Sequence, residues 1–270
     1  MMRRALAALL LAGSMPVQAA EPTWTDLSAI LYEDRELLDG SAFIEINSPY
    51  RTDNDARTQI AAQINAPAGR MLGKVSLILD ENPMPVSAVF AFDAPLPRFF
   101  FDVTMRINGP TPLHVVAETT DGQLYVAETF VKTSGQGACA APPGSDLDVA
   151  LETLGEMDIL IGANRESATT LDRLGALAQR EKRVDVDISH PSLSGMQMDQ
   201  ITLLFIPMRY VETLDVDLDG AGYVEMTGSI SLSENPRIGM SVPGRTQTVG
   251  VTMTDTDGTV THAQKSVEGY

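Results

Sequence analysis

A single thiol is available for chemistry in this chain. Cys139 is the only cysteine of 270 residues, and it lies in SGQGACAAPPG, Ser134 to Gly144, among small and helix-breaking residues. One cysteine cannot form an internal bridge, so it is a buried core thiol, a reactive group or an intermolecular link. A lone cysteine is usually a small hydrophobe in a core. Here no apolar strand or helix pattern surrounds it, glycine and alanine leave it without bulky neighbours, and Pro142 and Pro143 forbid both a regular helix and a central strand. The segment therefore reads as an arm presenting an accessible, functional thiol. Only the thiolate is nucleophilic, and a free cysteine has a pKa of ~8.5. Attack needs help from a partner's site or from a local cation such as Lys132.

The other reactive side chains form no comparable constellation. His114, His190 and His262 are more than seventy residues apart, so none makes the i, i+4 pair of a helical zinc site. A Cys139–histidine catalytic pair could arise only through the fold. Asp215, Asp217 and Asp219 followed by Gly220 imitate the start of an EF-hand loop. Met226 stands where the closing glutamate must be, and Leu214, Val216 and Leu218 alternate with the aspartates, so strand and turn is the reading. No GxSxG, helix-opening GxGxxG or P-loop occurs, and 36 acidic residues make a chance carboxylate pair certain somewhere. The expectation is a protein without catalytic residues, metal or cofactor.

The elements that position Cys139 begin with an export signal. Arg3 and Arg4, an apolar run from Ala5 to Ala12 and the small-residue stretch VQAAE fit a secretory signal peptide over residues 1–20, cleaved after Ala19 or Ala20. The run is far short of the ~20 residues that span a bilayer. The expectation is a soluble periplasmic protein without a lipid anchor. Formal charge is −17 for the whole chain; without Arg3 and Arg4, 17 basic residues face 36 acidic ones, giving −19. Nucleic acid and anionic membrane surfaces are poor partners for such a chain.

From Thr25, an N-cap by residue type, Leu27, Ile30, Leu31, Leu37 and Leu38 suggest a helix over 25–38, with Trp24 anchoring it. Period-two alternation then runs from Ser41 to Thr133, as in Val75, Leu77 and Leu79 and in Phe99, Phe101, Val103, Met105 and Ile107. Turns fall at Asn82-Pro83, Asn108-Gly109-Pro110 and Asp121-Gly122, the last a hairpin. Residues 21–144 thus read as an antiparallel β-sandwich with an N-terminal helix and the cysteine arm. Residues 145–182 read as a helical linker, with helices opened by Ser145 and Thr170. Residues 183–270 read as a second sandwich. There Val184, Val186 and Ile188 alternate, as do Val224, Met226, Ile230 and Leu232 around Gly228, and Val249, Val251 and Met253, and Asp257-Gly258 makes a turn. The fold class is mostly β, two sandwiches joined by a partly helical linker.

Several runs carry a specific resemblance. SPYRTDNDA (48–56), ILDENPMP (78–85), AETTDGQLYVAETFVKTSGQGACAAP (117–142), HPSLSGMQMDQ (190–200), FIP (205–207) and SISLSENP (229–236) resemble, in order, the SoxY and SoxZ proteins of bacterial sulfur oxidation. The chain is most similar to fused SoxYZ-like carriers associated with quinoprotein dehydrogenases. The resemblance implies two immunoglobulin-like sandwiches in contact, the second a companion without catalytic residues. It implies that Cys139 holds sulfur intermediates, as a thiosulfonate or persulfide, for separate enzymes, and that Gly135 and Gly137 keep the arm pliable. Implied partners are periplasmic redox or sulfur-oxidising enzymes, a quinoprotein dehydrogenase and cytochrome c among them. The alternative is an accessory binding module of a PQQ quinoprotein dehydrogenase, in which the thiol is not a carrier site. One departure matters: the SoxY arm ends its chain between glycines, whereas Ala138 and Ala140 flank Cys139 and more than 120 residues follow it. An arm tied at both ends enters a partner as a folded-back loop.

Overall fold

The computed structural model describes residues 23–33, 35–135, 138, 147–162, 181–198 and 203–267. Helix α1 (Thr23–Tyr32) precedes strands β1 (Leu37–Asp39), β2 (Ile44–Asn47), β3 (Thr58–Asn65), β4 (Leu72–Leu79) and β5 (Val86–Leu96). β6 (Arg98–Met105), β7 (Thr111–Thr119) and β8 (Leu124–Val131) complete the first half. Helix α2 (Leu147–Glu152) leads to β9 (Met157–Ile161) and β10 (Glu181–Ile188). β11 (Val211–Leu218), β12 (Ala221–Thr227), β13 (Arg237–Pro243), β14 (Thr248–Asp255) and β15 (Val260–Ser266) follow.

The strands assemble into two sheets, and both sheets run through both halves of the chain. One has the order β1-β8-β7-β4-β5-β12-β11-β14-β15, the other β2-β3-β6-β13-β10-β9. The expected mostly β architecture of two sandwiches is present, with the sandwiches joined edge to edge. β12 pairs with β5 through Val224↔Phe92 to Thr227↔Val89, and β13 pairs with β6 through Ile238↔Val103 to Met240↔Phe101. Both joins are antiparallel, so each sandwich closes two open edges of the other. Phe90 of one sheet packs on Phe99 and Phe101 of the other at centroid distances of 5.3 and 4.9 Å. The apolar core continues from Ile44 in the first half to Met253 in the second as one cluster.

The structure corrects four local expectations. The N-terminal helix stops at Tyr32, because Glu33 takes a positive φ of 53°, and Leu37 and Leu38 enter β1, parallel to β8. The period-two alternation read for Val75, Leu77 and Leu79 does not separate a buried from a solvent face: Val75 through Leu79 are all buried, since α1 covers the second face with Leu27, Leu31 and Tyr32 against Ile78 and Val116. Ile230 and Leu232 are not in a strand. β12 ends at Thr227, and a side chain at Gly228 would strike the Val211 carbonyl oxygen, so the chain turns there. The span read as a helical linker contributes strand β9, an edge of the second sheet paired to β10. The second helix expected from Thr170 lies outside the described residues, as does the signal peptide. No helix among the described residues is long and apolar enough to cross a membrane.

Candidate functional site

The strand that carries the chain toward Cys139 is β8. Its path is fixed on one side by the segment 50–52, where Lys132 N donates to Tyr50 O at 2.8 Å and Thr52 N donates to Lys132 O at 2.8 Å. This parallel bridge sets Arg51 beside Lys132, and Arg51 Nη1 donates to Thr133 O at 3.0 Å. Lys132 Nζ lies 4.9 Å over the ring of Tyr50, itself 65% exposed. Neither cation has a carboxylate partner among the described residues, which is notable in so acidic a chain.

Beyond Thr133 the backbone is gripped by a carboxylate. Asp55 is 1% exposed and Thr52 2%. Ser134 N donates to Asp55 Oδ1 at 2.6 Å and Gly135 N to Asp55 Oδ2 at 3.2 Å, so both oxygens take part in holding the backbone. The Thr52 hydroxyl donates to Asp55 Oδ1 and lies 3.2 Å from Ser134 N. Two successive N–H groups converging on an anion form a nest, and here the anion is the protein's own side chain. Gly135 adopts φ +94°, a conformation that an L side chain rarely takes.

The carboxylate is positioned by a rigid turn. The Asn54 side chain accepts from Ala56 N, Thr58 Oγ1 donates to Asn54 O, and Ile107 N donates to Asp55 O at 2.8 Å. Next to it, Arg57 Nη1 donates to Glu234 O at 2.7 Å and Asn235 O at 2.6 Å in the second sandwich. The root of the arm is thereby tied to both halves of the molecule.

Of the residues singled out from sequence, Gly135 is placed at this root, and Cys139 and Gly137 lie outside the described residues. Ala138, the residue before the thiol, is 2% exposed. The histidines belong to separate networks. His114 stacks on Trp24 at 3.7 Å between Asp80 and Glu128. His190 accepts from Ser192 N at 2.9 Å. His262 meets Thr252 on the exposed face of the β14–β15 hairpin. None bonds a described residue of the arm. The calcium-like segment is strand, turn and strand: β11 and β12 join through Asp219 and Gly220 at positive φ, and the Asp219 carboxylate accepts from Gln247 N and Thr248 N. Those hydrogen bonds hold Asp219 below the usual carboxylate range.

Asp55 and Thr52 were not anticipated as site residues. Their signal was the SPYRTDNDA run, whose conspicuous polar residues turn out to be the clamp. Two other runs meet at the seam between sandwiches: Asn82 Nδ2 donates to Ser231 Oγ at 2.9 Å and Ser231 Oγ to Met84 O at 3.4 Å.

Fold and site define a class: paired β-sandwiches sharing two sheets, with the sole cysteine eight residues beyond the end of β8 and a buried carboxylate holding the backbone at Ser134 and Gly135 between them. The family model of the sulfur oxidation protein SoxY matches residues 29–139, ending on Cys139, and that of the sulphur oxidation protein SoxZ matches residues 174–266. The two matches thus follow one another in one polypeptide, the SoxY model on the first sandwich and the SoxZ model on the second. A solved structure of the sulfur carrier protein SoxY from Chlorobium limicola f thiosulfatophilum is 24% identical, covering 42% of this chain and 96% of its own, with a TM-score of 0.36. Superoxide reductase (neelaredoxin) from Ignicoccus hospitalis is 17% identical over 34% of this chain and 80% of its own, with a TM-score of 0.27. Among curated proteins none matches the chain.

Proposed function

We propose that this chain is an exported, periplasmic carrier that holds a sulfur-containing intermediate covalently on Cys139 and presents it to partner enzymes. The observation that carries the reading is the placement of the sole thiol: it closes the SoxY match and follows a strand end anchored in the body. A carrier needs a thiol displaced from the fold by a short length of chain, and an anchored root supplies that.

The loading chemistry explains why such a protein works with partners. Joining the Cys139 thiolate to the terminal sulfur of a thiosulfate-like anion forms an S–S bond and releases two electrons. These pass to an electron-accepting redox partner of the cytochrome class, and hydrolysis or further oxidation of the adduct belongs to other enzymes. The carrier supplies the nucleophile alone, consistent with a protein that is not a catalyst.

Intact-mass spectrometry of the protein isolated from cells grown on reduced sulfur tests this. The expected result is a mass increment on Cys139 that dithiothreitol removes and that Cys139→Ser lacks. A thiol free of adduct under every growth condition, with a harmless Cys139→Ser phenotype, overturns it. If Cys139→Ala keeps both partner binding and the activity of a co-purifying quinoprotein dehydrogenase, the chain is an accessory module of that enzyme instead.

A further inference from the structure

The HPSLSGMQMDQ and FIP runs meet in a feature that the fold does not require. Residues 192–198 and 203–209 pair as an antiparallel ribbon: Leu193 N donates to Arg209 O at 2.6 Å, Arg209 N to Leu193 O at 2.9 Å and Ile206 N to Gln197 O at 2.9 Å, with Met198 opposite Phe205. Its side chains are arranged inside out. Ser192, Ser194 and Gln197 are buried, whereas Met196, Met198, Leu203, Phe205 and Met208 are between 40% and 70% exposed. A surface that faces only water turns its polar groups outward, so apolar side chains standing over buried serines mark a surface meant for contact. The ribbon is also held in place: Arg209 Nε donates to Asp255 Oδ2 at 2.7 Å and Nη2 to Thr259 Oγ1 at 2.7 Å, and a Cβ at Gly195 would lie 3.1 Å from Met208 Cβ.

We propose that this methionine-rich face is a docking surface, and that what it takes is an apolar groove with a cationic rim on a partner enzyme. The rim follows from charge. Glu212 and Asp257 are exposed carboxylates at the foot of the ribbon, where Arg209 is taken up by Asp255, and they belong to a chain of net charge −17. Complementary potential draws a basic surface to such a site. A second copy of the chain fits poorly, because two such bodies repel and five partly exposed side chains fall short of the ~800 Å² that each side of a stable pair buries. A contact of that size suits a partner that arrives and leaves. Three of the five side chains are methionine, unbranched and polarisable, and repack to suit grooves of different shape, so one face serves more than one enzyme. The ribbon also adjoins the corner from which the chain runs toward Cys139: Arg106 Nη1 donates to Ser192 O, and the adjacent Ile107 N donates to Asp55 O, whose carboxylate accepts from Ser134 N. The use of the face in presenting Cys139 rests on the carrier reading; the docking surface itself does not.

The test puts a benzophenone amino acid in place of Phe205 in the full chain, or in place of the exposed Ile30 on α1 as a control, and illuminates each in an extract of the protein's own cells. Peptide mass spectrometry locates the contact, and the protein so found is purified and titrated with the parent and with substituted chains. The contact peptide should be apolar and flanked by lysine or arginine. The Kd for that purified protein should rise about tenfold when Met198→Ser and Phe205→Ser are combined and stay within about twofold for Ile30→Ser. Glu212→Lys should slow association severalfold at low salt. Crosslinks from position 205 no stronger than from position 30, crosslinks to a second copy, or a Kd that the paired substitution leaves within about twofold overturn the proposal. So does sedimentation of the parent, but not of the paired variant, with phosphatidylcholine vesicles, which would make the face a membrane contact. If the paired variant loses its dispersed NMR spectrum, Met198→Ser alone decides on the same criteria. A Phe205-dependent partner of a chain that never carries an adduct leaves the docking surface standing and removes the carrier reading; an adduct that forms at the parent's rate in the paired variant does the reverse.

Discussion

Buried single residues in this protein are tuned by their surroundings, and His190 shows how far. It is fully buried, its Nδ1 accepts from Ser192 N, and its Nε2 stands 3.5 Å from Asp255 Oδ2, too long for a full hydrogen bond. Burial pushes its pKa down to about 4, with Arg209 and Arg106 adding to the fall and Asp255 opposing it. The imidazole is thus neutral in the folded state at pH 7. Between pH 6.5 and 4 the unfolded chain takes up a proton there that the native state refuses, so stability falls as pH falls through that window. A shift of that size corresponds to about 3 kcal/mol, absent above pH 6.5 and complete below pH 4. Asp255 acts in a lower window. Burial works to raise its pKa, but the hydrogen bond from Arg209 and the amides of Thr259 and Asp257 outweigh it, so its contribution is lost only below the ordinary carboxylate range. Urea midpoints at about pH 7, 5.5 and 4.5 should decline steadily in the parent, and His190→Gln should show a weaker midpoint at pH 7 and a flatter decline. An equal slope in both removes His190 as the cause. None of this was legible in the sequence, where His190 is one histidine beside a proline. Cys139 was legible because chemical type alone isolates it, whereas Asp55 acts through two amides that only the fold brings to it.

At the scale of elements, alternation in sequence located the strands well and misjudged their faces. β6 alternates as Phe99, Phe101, Val103 and Met105 against Phe100, Asp102 and Thr104, yet Asp102 and Thr104 are buried too. The cause is the neighbouring sandwich. Asp185 of β10, Gly239 of β13 and Asp102 of β6 are consecutive cross-strand partners, and Arg183 reaches over Gly239 to bond both Asp185 at 2.8 Å and Asp102 at 2.5 Å. Burial disfavours the Arg183 charge, but the hydrogen bond to Asp185 and the two carboxylates outweigh that and hold its pKa above the usual value. The bridge needs a residue without a side chain in the middle: a Cβ at Gly239 would lie 2.6 Å from Asp185 Oδ1 and 3.0 Å from Arg183 Nη2. Arg183→Ala should cost about 3 kcal/mol by leaving Asp102 buried with Gln59 as its remaining side-chain partner. Gly239→Val should cost a similar amount by displacing the guanidinium. Chemical denaturation measures both, and the double variant should be far less than additive, because either change breaks the same bridge. Full additivity would mean that the two side chains act independently.

For the molecule as a whole, the two sandwiches are expected to behave as one body. A sequence reading naturally separates them, because the pattern lapses between about residue 134 and residue 183, and backbone pairing across a seam leaves no local periodicity to detect. In the structure β5–β12 and β6–β13 make both sheets continuous, and the apolar core crosses the seam without interruption. Separating the halves would expose four strand edges together with the buried Phe90, Met226 and Met240. The covalent link is then not what holds the halves together. A protease site engineered between Thr169 and Thr170, cut after folding, should leave two fragments that co-elute at micromolar concentration. Calorimetry of the intact chain should show one transition, with van't Hoff and calorimetric enthalpies equal. After cutting, unfolding becomes dissociative, so each tenfold dilution removes about 1.4 kcal/mol and lowers Tm by about 4 °C, whereas the Tm of the intact chain does not depend on concentration. Two transitions in the intact chain, or fragments that part at micromolar concentration, would mean that the seam is a contact between independent domains and that the root of the arm, tied through Arg57 to the second sandwich, is free to move relative to it.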